Sequence, residues 1–551
     1  MQFRAQRLFI SKVFSKAFFH GHAHIESPSH SSPASTLWFI KVVSTLCIQH
    51  SHSLVLFNTD YFRQNLDPFV AFSVILHINN TLNKPALAFS FFRYLRISFN
   101  LIHSEPTFDL LLRSLCQMGL HESARLVYKD MKADGFLPDN SVLDIVVSSF
   151  ANAGEFRTAQ EILIAKAEMC NERGEMVNSF VYNKFLSLLI SRIRVDEAVL
   201  FFRSHILRLR SIYPDTCSFN IVVRGLCQVG KVEKAFEFFG IMRNFGCHPD
   251  IIMYNTLIYG LCRVGNVDRA HELLREVQTM CEFSPDVVTY TSVISGFCKL
   301  GKMEDAVTLL DEMITSGITP NLFTFNAIID GFGKKGEVAL ALKMYERMVG
   351  NGFHPDVVTF TTLLDSYCRL GEVDQCMKLW DAMKERKVSP NVFTFSVLIN
   401  ALCKENRLNE ARDLLNQLNW RDDIIPPPFI YNPVIDGFCK AGNVDEANAI
   451  FAEMESKGCV HDKMTFTILI LGHCMKGRML EAIGIYNKML SLGCAPDTIT
   501  ITSLVSRLRK AGMAHEAYEV EQNALNNLSR GVSSPERTTR LRGNMNIPVA
   551  V

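Results

Sequence analysis

The chain has 551 residues, a hydrophobic fraction of 48% and a formal net charge of +1. This much apolar surface can form a continuous core, which excludes a disordered protein, and the balanced charge gives no overall basic signal for nucleic acid. A chain with a net charge near zero can still have basic and acidic residues separated within each repeated unit.

Residues 1–60 differ in composition from the rest of the chain. The first 59 residues contain one acidic residue, Glu26, together with several basic residues and many serines and histidines. A basic, serine-rich, acid-poor leader is typical of organellar presequences, so we predict a targeting presequence and disordered leader here. Its arginine and phenylalanine content favours a mitochondrion, with the chloroplast as the alternative. No stretch approaches twenty uninterrupted apolar residues, so no membrane span is expected.

Residues 67–104 are predicted to form a degenerate first repeat, whose second helix follows Lys84. Regular units of about 35 residues then fill 105–532. A mobile tail is predicted over 533–551, which has no helical stripe. The units begin at Glu105, Asn140, Ser179, Thr216, Ile251, Val287, Leu322, Val357, Val392, Pro428, Lys463 and Thr498.

The unit Val287–Asn321 shows the pattern that the others repeat. Apolar residues recur at helical spacing in two runs, which are separated by Gly301. A glycine suits the left-handed conformation that often ends a helix, and Pro320 ends the second run. One unit is therefore predicted to be a helix, a tight turn, a second helix and a loop.

Two recurring positions support this register. The twentieth residue of each unit is alanine, except for Cys376, and a small residue there lets two helices approach closely. The fifteenth is glycine or asparagine, except for Ile193, where a β-branched side chain predicts a different turn. Because one hairpin cannot bury its apolar stripe alone, we predict an all-α fold, a monomeric right-handed α-solenoid superhelix of about 12–13 helix-turn-helix repeats.

Catalysis has no evident residues. The HExxH, GxSxG and GxxxxGK[ST] patterns are missing, and no two of the sixteen cysteines are three residues apart, so zinc-site spacing is missing too. Acidic residues such as Glu304 recur at the start of each second helix, where the helix dipole favours them. We therefore expect a protein that is not an enzyme and that binds no cofactor or metal.

A basic residue recurs at the thirteenth position, near the end of the first helix. Such residues also complement the negative end of a helix dipole, which is a structural explanation of similar weight. Stacked units would turn one charge per unit into a regular ladder that suits a phosphate backbone. The six consecutive candidates for phosphate contacts are Arg263, Lys299, Lys334, Arg369, Lys404 and Lys440.

The fifth and last residues of the units are polar in a restricted way. The fifth is mostly Asn, Thr or Ser, which are poor helix formers, so their recurrence on one face requires a reason. The last is mostly Asp or Asn, which can simply cap the next helix. Amides and small hydroxyls hydrogen-bond base edges, and the candidates are Asn183, Asp215, Asn220, Asp250, Asn255, Asp286, Thr291, Asn321, Asn326, Asp356, Thr361, Asn391, Ser396, Asn432, Asp462, Thr467, Asp497 and Thr502.

With these positions, the units resemble pentatricopeptide repeats of the plain P class, of the plant organellar type. The segment VVTYTSVISGFCKLGKMEDAVTLLDEMITSGITPN is similar to that family's consensus, and the resemblance covers roughly Glu105 to Gly531. It implies binding of single-stranded RNA at one base per repeat, with the fifth and last residues selecting the base. It also implies that an apolar second residue packs against base faces, here Ile252, Val288, Phe323, Val358, Phe393 and Phe429.

The family's preferences translate into a candidate binding site. Asn with Asp favours U, Thr with Asn favours A, and Thr with Asp favours G. From the unit at Ser179 onward this implies UUUAUA-purine-UG, written 5′ to 3′, where the pair of Ser396 and Pro427 leaves the purine step undefined. Asp109 and Asp144 are unusual fifth residues, so the first two full units are expected to be structural or poorly selective.

The resemblance implies action by occupancy of an organellar transcript, in stabilisation, processing, splicing or translation. Any editing or cleavage would need a recruited protein. The alternative from another class is a helical-repeat scaffold for proteins. A protein-binding groove would show varied fifth residues instead of the restriction observed here.

Overall fold

The structure of the protein is a computed structural model that describes residues 33–49, 62, 66–174, 178–208, 212–279, 283–421 and 425–530. The predicted tail and most of the predicted presequence lie outside these residues. The chain divides into two compact units, residues 1–285 and 286–551. Within the described ranges, five complete hairpins belong to the first unit and seven to the second.

The first helices of the hairpins begin at the residues at which the sequence repeat restarts. Within each compact unit, successive first helices pack against one another and against their own second helices. The first helices are Glu105–Gln117, Asn140–Asn152, Ser179–Ser191, Thr216–Gln228, Ile251–Arg263, Val287–Lys299, Leu322–Lys335, Val357–Leu370, Val392–Lys404, Pro428–Lys440, Lys463–Met475 and Thr498–Lys510.

The second helices complete the hairpins. The third of them continues as the π-helix Phe202–Ile206, and the fourth ends in the 3₁₀ turn Arg243–Phe245. They are His121–Ala133, Phe156–Arg173, Val195–Phe201, Val232–Met242, Val267–Thr279, Met303–Thr315, Val338–Gly350, Val373–Glu385, Leu408–Asn419, Val444–Ser456, Met479–Ser491 and Ala514–Arg530. The prediction of an all-α array of helical repeats is confirmed.

The turn between the two helices uses a left-handed residue. Gly301 adopts φ 74°, and the backbone N–H of Gly301 donates to the carbonyl of Cys298. The prediction of a different turn at Ile193 is wrong. Ile193 adopts φ 62° and its N–H donates to the carbonyl of Ile190 in the same way, so the hydrogen-bonded turn imposes the left-handed conformation even on a β-branched residue.

Small residues set the spacing between helices. Every described alanine at the twentieth position has no exposed surface, and the same holds for Cys376. Two glycines at the tenth position, Gly260 and Gly472, pack on the twelfth-position cysteine of the preceding unit. A Cβ atom added to Gly260 would lie 2.5 Å from Cys227 Sγ, and one added to Gly472 would lie 2.4 Å from Cys439 Sγ. The recurrent cysteines therefore act as small apolar residues against a bare backbone.

Gly472→Ala is expected to destabilise the protein, because the new methyl group overlaps Cys439. Overpacking of this kind costs about 1–3 kcal/mol, which exceeds the gain in helix propensity of roughly 0.5–1 kcal/mol. Gly484→Ala is the matched control, since Gly484 also lies inside a helix but has no atom within 4 Å of its Cβ position. Urea unfolding followed by circular dichroism measures both. A Gly472→Ala midpoint equal to or above that of Gly484→Ala contradicts the packing described.

The N-terminal region corrects one prediction. Residues 33–49 are not disordered, because Pro33–Gln49 is a helix that packs against Pro68–Leu76 with Val43 and Cys47 fully buried. The region predicted as a degenerate repeat contains Pro68–Leu76, the π-helix His77–Thr81 and Pro85–Phe99. Among the described helices, none is both long enough and apolar enough to span a bilayer.

Candidate nucleic-acid interface

The last residue of a unit is the N-cap of the next first helix. In Asp356, for example, Oδ1 accepts a hydrogen bond from the backbone N–H of Thr359 at 2.9 Å. The capping explanation for this position therefore holds, but the cap engages only one of the two polar atoms of the side chain. The residues that cap in this way are Asp215, Asp250, Asp286, Asn321, Asp356, Asn391, Asp462 and Asp497.

In four of the five units whose fifth residue is asparagine, its amide reaches the last residue of the same unit. The two residues are 30 or 32 positions apart in sequence, and the hairpin brings them together. The amide nitrogen donates to the carboxylate in four pairs, Asn183–Asp215 at 3.1 Å, Asn220–Asp250 at 3.2 Å, Asn326–Asp356 at 3.4 Å and Asn432–Asp462 at 3.2 Å.

Where the fifth residue is threonine, its hydroxyl bonds to the third residue of the following unit. Thr291 Oγ1 lies 2.7 Å from Thr324 Oγ1, and Thr324 Oγ1 lies 3.0 Å from Asn321 Oδ1. The fifth and last residues are thus linked through a third side chain. The same hydroxyl pairs are Thr361–Thr394 at 2.9 Å and Thr467–Thr500 at 2.7 Å.

The third residue also holds the asparagines, a role that was not predicted from the sequence. The hydroxyls of Ser218, Thr359 and Thr465 lie 2.6, 2.8 and 2.7 Å from the amide oxygens of Asn183, Asn326 and Asn432, respectively. The signal was available as a recurrence of Ser or Thr at this position. Its members are Thr107, Ser218, Thr289, Thr324, Thr359, Thr394, Thr465 and Thr500.

Hydrogen bonding keeps the carboxylate of Asp215 ionised. Burial alone would raise its pKa, but hydrogen bonds from Ser218, Ser179 and Asn183 outweigh this effect and lower the pKa. The fifth residues are themselves largely enclosed, since Asn183, Asn326 and Asn432 are each 8% exposed. Because the fifth residue lies on one first helix and its partner caps the next, the pairs also link adjacent first helices.

Two candidate positions in the second compact unit do not form this arrangement. Pro427 precedes the helix Pro428–Lys440 and gives it no side-chain cap. The third residue of that unit is Ile430, which has no hydroxyl. Ser396 Oγ accepts instead from Asn400 Nδ2 at 3.3 Å. Thr502 donates to the carbonyl of Thr498 at 2.7 Å within its own helix.

The first two full hairpins also depart from the pattern. Asp109 accepts from the backbone N–H of Asp139 at 3.3 Å, and burial raises the pKa of Asp109 to about 6. Asp144 forms a salt bridge with Lys184 at 2.8 Å. Neither residue forms the amide–carboxylate pair. That these hairpins are poorly selective stays a prediction.

Apolar second residues are exposed although they are large. The six that were predicted to pack on bases range from 45% exposed in Phe429 to 60% in Ile252. The rings of Phe393 and Phe429, from consecutive hairpins, lie nearly parallel with centroids 6.3 Å apart. The same position is exposed in hairpins that the sequence analysis did not include, namely at Phe180, Met464 and Ile499.

The thirteenth-position cations fall into two groups. Three of them form salt bridges with an aspartate four residues earlier, Lys334–Asp330 at 2.5 Å, Arg369–Asp365 at 2.7 Å and Lys440–Asp436 at 2.6 Å. The other three, Arg263, Lys299 and Lys404, have Tyr, Ser or Asn at that position and form no ion pair with a described residue.

Comparison with known families identifies the repeat. A model described as PPR repeat family matches residues 214–263, 285–334, 320–369, 355–404, 426–475 and 461–510. A second model, described as PPR repeat, matches 106–136, 252–281 and 393–422, and together they cover more than half of the chain. The chain belongs to the pentatricopeptide repeat family.

Curated pentatricopeptide repeat proteins of Arabidopsis thaliana match parts of the chain. The protein At2g06000 is 46% identical over 230 residues, which are 40% of this chain and 40% of that protein. The chloroplastic protein At3g09650 is 31% identical over 20% of this chain and 13% of its own length. The mitochondrial protein At3g07290 is 30% identical over 26% of this chain and 16% of its own length. The chain therefore aligns with less than half the length of these relatives.

Solved pentatricopeptide structures are also similar to the chain. The maize protein PPR10 aligns over 96% of this chain and 82% of its own, with 22% identity and a TM-score of 0.40. PPR10 in complex with an 18-nt psaJ RNA element aligns over 92% of this chain and 93% of its own, with 18% identity and a TM-score of 0.38.

Proposed function

We propose that this pentatricopeptide array binds single-stranded RNA, one base per repeat, at a site close to UUUAUA-purine-UG. The fifth and last residues of each hairpin select the base, and the exposed second residues pack against base faces. Aromatic and aliphatic faces pack on any base and so add affinity without sequence preference. Cations at the thirteenth position contact phosphates and add an affinity that depends on salt.

One observation carries this proposal. A three-residue network of fifth, last and third side chains recurs in six hairpins, and the fifth and last residues contribute only amide, carboxylate and hydroxyl groups to it. These groups pair with the Watson–Crick edges of unstacked bases, which is how proteins select single-stranded RNA. A purely structural polar contact would not require the fifth residue to alternate between Asn and Thr along the array.

We infer that the protein acts by occupancy. A bound array would protect, unfold or expose a segment of a transcript, and so affect its stability, processing, splicing or translation. Within the described residues there is no cluster of three His, Cys, Asp or Glu side chains that could hold a metal ion. Cleavage or editing would then be the work of recruited proteins.

We propose the mitochondrion as the site of action, with the chloroplast as the alternative. The basic, acid-poor composition of residues 1–60 supports organellar import. Unit spacings of 35 or 36 residues from Ile251 onward support the plain P class. The protein would act as a single chain.

The test is a binding measurement with fluorescent RNA of sequence UUUAUAAUG. We expect the purified protein to bind it at least tenfold more tightly than a scrambled RNA of equal composition, because every mismatched base loses directional hydrogen bonds. Fluorescence anisotropy at several salt concentrations gives both affinities. Equal binding of the two RNAs contradicts base selection, and no binding to either favours a protein-binding scaffold.

A further inference from the structure

Four of the five asparagine steps, those of Asn183, Asn220, Asn326 and Asn432, share the amide–carboxylate hydrogen bond but differ in one contact. In the steps of Asn183, Asn326 and Asn432, a hydroxyl from the next hairpin lies 2.6–2.8 Å from the amide oxygen. In the step of Asn220 the corresponding third residue is Met253, which offers no hydroxyl. The amide oxygen of Asn220 is buried and has no hydrogen-bond partner among the residues that the structure describes.

The missing hydroxyl changes how firmly the amide is held. In the three complete steps, the amide nitrogen faces the aspartate and the oxygen faces the hydroxyl, so the side chain is held at both ends. Asn220 is held only through its nitrogen, which donates to Asp250 at 3.2 Å. A buried acceptor without a partner is unfavourable, and a rotation that brings this oxygen to a ligand donor would relieve the cost.

Uracil and cytosine differ in the groups that such an amide senses. Uracil carries a carbonyl at C4 and an N–H at N3, whereas cytosine carries an amino group at C4 and a bare nitrogen at N3. An amide that is fixed with its N–H₂ group toward the base can donate a hydrogen bond to the C4 carbonyl of uracil. It cannot do so to the C4 amino group of cytosine, which is also a donor. An amide that can turn its oxygen outward accepts from the amino group of cytosine and loses this discrimination.

We propose that the third residue is a positioning residue that sets how sharply the preceding step separates uracil from cytosine. Met253 then makes the step of Asn220 the most permissive of these four asparagine steps. The inference rests on the proposed RNA-binding function. It assigns a specificity role to a side chain that lies behind the selecting residue.

Met253→Thr should sharpen the second step of the site. The test compares UUUAUAAUG with UCUAUAAUG, in which only the base opposite Asn220 is changed. Because one hydrogen bond to the amide is gained, the ratio of the two affinities should rise roughly fivefold over the wild type. The ratio of the affinities for UUUAUAAUG and UUUACAAUG, which differ only at the base opposite Asn326, should be the same in the variant and the wild type. It serves as the internal control.

Thr465→Val tests the same idea in the opposite direction. Valine has the shape of threonine without the hydroxyl, and the backbone N–H of residue 465 can still donate to Asp462, as it does now at 2.8 Å. The discrimination between UUUAUAAUG and UUUAUAACG should fall roughly fivefold. Thr465→Ser retains the hydroxyl and should therefore keep the wild-type discrimination between these two RNAs. The comparison of Thr465→Val with Thr465→Ser keeps the proposal testable if Met253→Thr folds poorly.

The outcomes separate the two proposals. If the wild-type protein does not distinguish UUUAUAAUG from any of the three cytosine-containing RNAs, the proposed function fails. If the wild type does distinguish them but Met253→Thr, Thr465→Val and Thr465→Ser all leave the ratios unchanged, the role of the third residue is overturned alone. A uniform fall at every step would indicate a merely structural role and would also overturn it.

Discussion

Asn321→Asp is expected to change the base preferred at the fourth step from adenine to guanine, and adding Thr291→Asn is expected to change it to uracil. The reason lies in the N-cap. Asn321 Oδ1 accepts from the backbone N–H of Thr324 at 2.9 Å, so the atom that remains for a ligand is the amide nitrogen, a donor. An aspartate in the same place would leave a carboxylate oxygen, an acceptor.

The Watson–Crick edges of the bases then decide the preference. Adenine has a bare nitrogen at N1, which accepts from an amide, whereas guanine at N1 and uracil at N3 carry an N–H, which donates to a carboxylate. Asparagine at 291 would place a longer side chain where the Thr291 hydroxyl now lies and leave room for a smaller base. The double variant reproduces the pairing of Asn326 with Asp356, and Thr324 already provides the third-position hydroxyl.

Binding to RNAs that differ only at the fourth base measures both changes. A matched donor–acceptor pair at a base edge is worth roughly 1–3 kcal/mol, so each switch should amount to about tenfold or more between the old and the new base. The step of Thr361 and Asn391 has the same residue types and should keep its preference for adenine in both variants. Retention of adenine at the fourth step in the double variant would show that these two residues do not select the base.

The periodicity of the sequence was sufficient to predict the fold because each hairpin is formed by residues that are close together in the chain. The 35-residue repeat, the fifteenth-position turn and the twentieth-position alanine are all recognisable without knowing which hairpins touch. The helix Pro33–Gln49 was missed because it lies inside a stretch whose composition is typical of a leader, and its burial against Pro68–Leu76 depends on tertiary contacts. The prediction for the turn at Ile193 was wrong because the hydrogen bonds that close the turn outweigh the φ preference of one residue.

The candidate site could be predicted only in part, for a different physical reason. Repetition indicated which positions matter, but not which atoms are already engaged. The hydroxyl of Thr359 belongs to the hairpin after the one that contains Asn326, and their contact depends on how consecutive first helices pack. The salt bridges of the thirteenth-position cations were available in principle, because residues four apart face each other on a helix. These salt bridges were not predicted because each position of the repeat was considered separately.

These salt bridges lead to a prediction about the phosphate contacts. Arg263, Lys299 and Lys404 have no aspartate one turn earlier, so their charge is available to RNA. Replacing all three with Ala should weaken binding of every RNA to the same degree. Each contact with a single-stranded phosphate contributes about 0.7 to the slope of log affinity against log salt, so the slope should fall by about two. The ratio of wild-type to variant affinity should then shrink about 16-fold between 50 and 200 mM salt.

The paired cations allow the matched experiment in the opposite direction. Asp330→Asn, Asp365→Asn and Asp436→Asn together would free Lys334, Arg369 and Lys440 without altering a cation. Because exposed pairs of this spacing contribute only about 0.3–0.5 kcal/mol each, the fold should tolerate the change. We expect tighter binding and a slope steeper by about two, with unchanged preferences at every base. If freeing these cations leaves the slope unchanged, or if it alters base preference, the thirteenth position does not contact phosphate, and its charge serves the helix end alone.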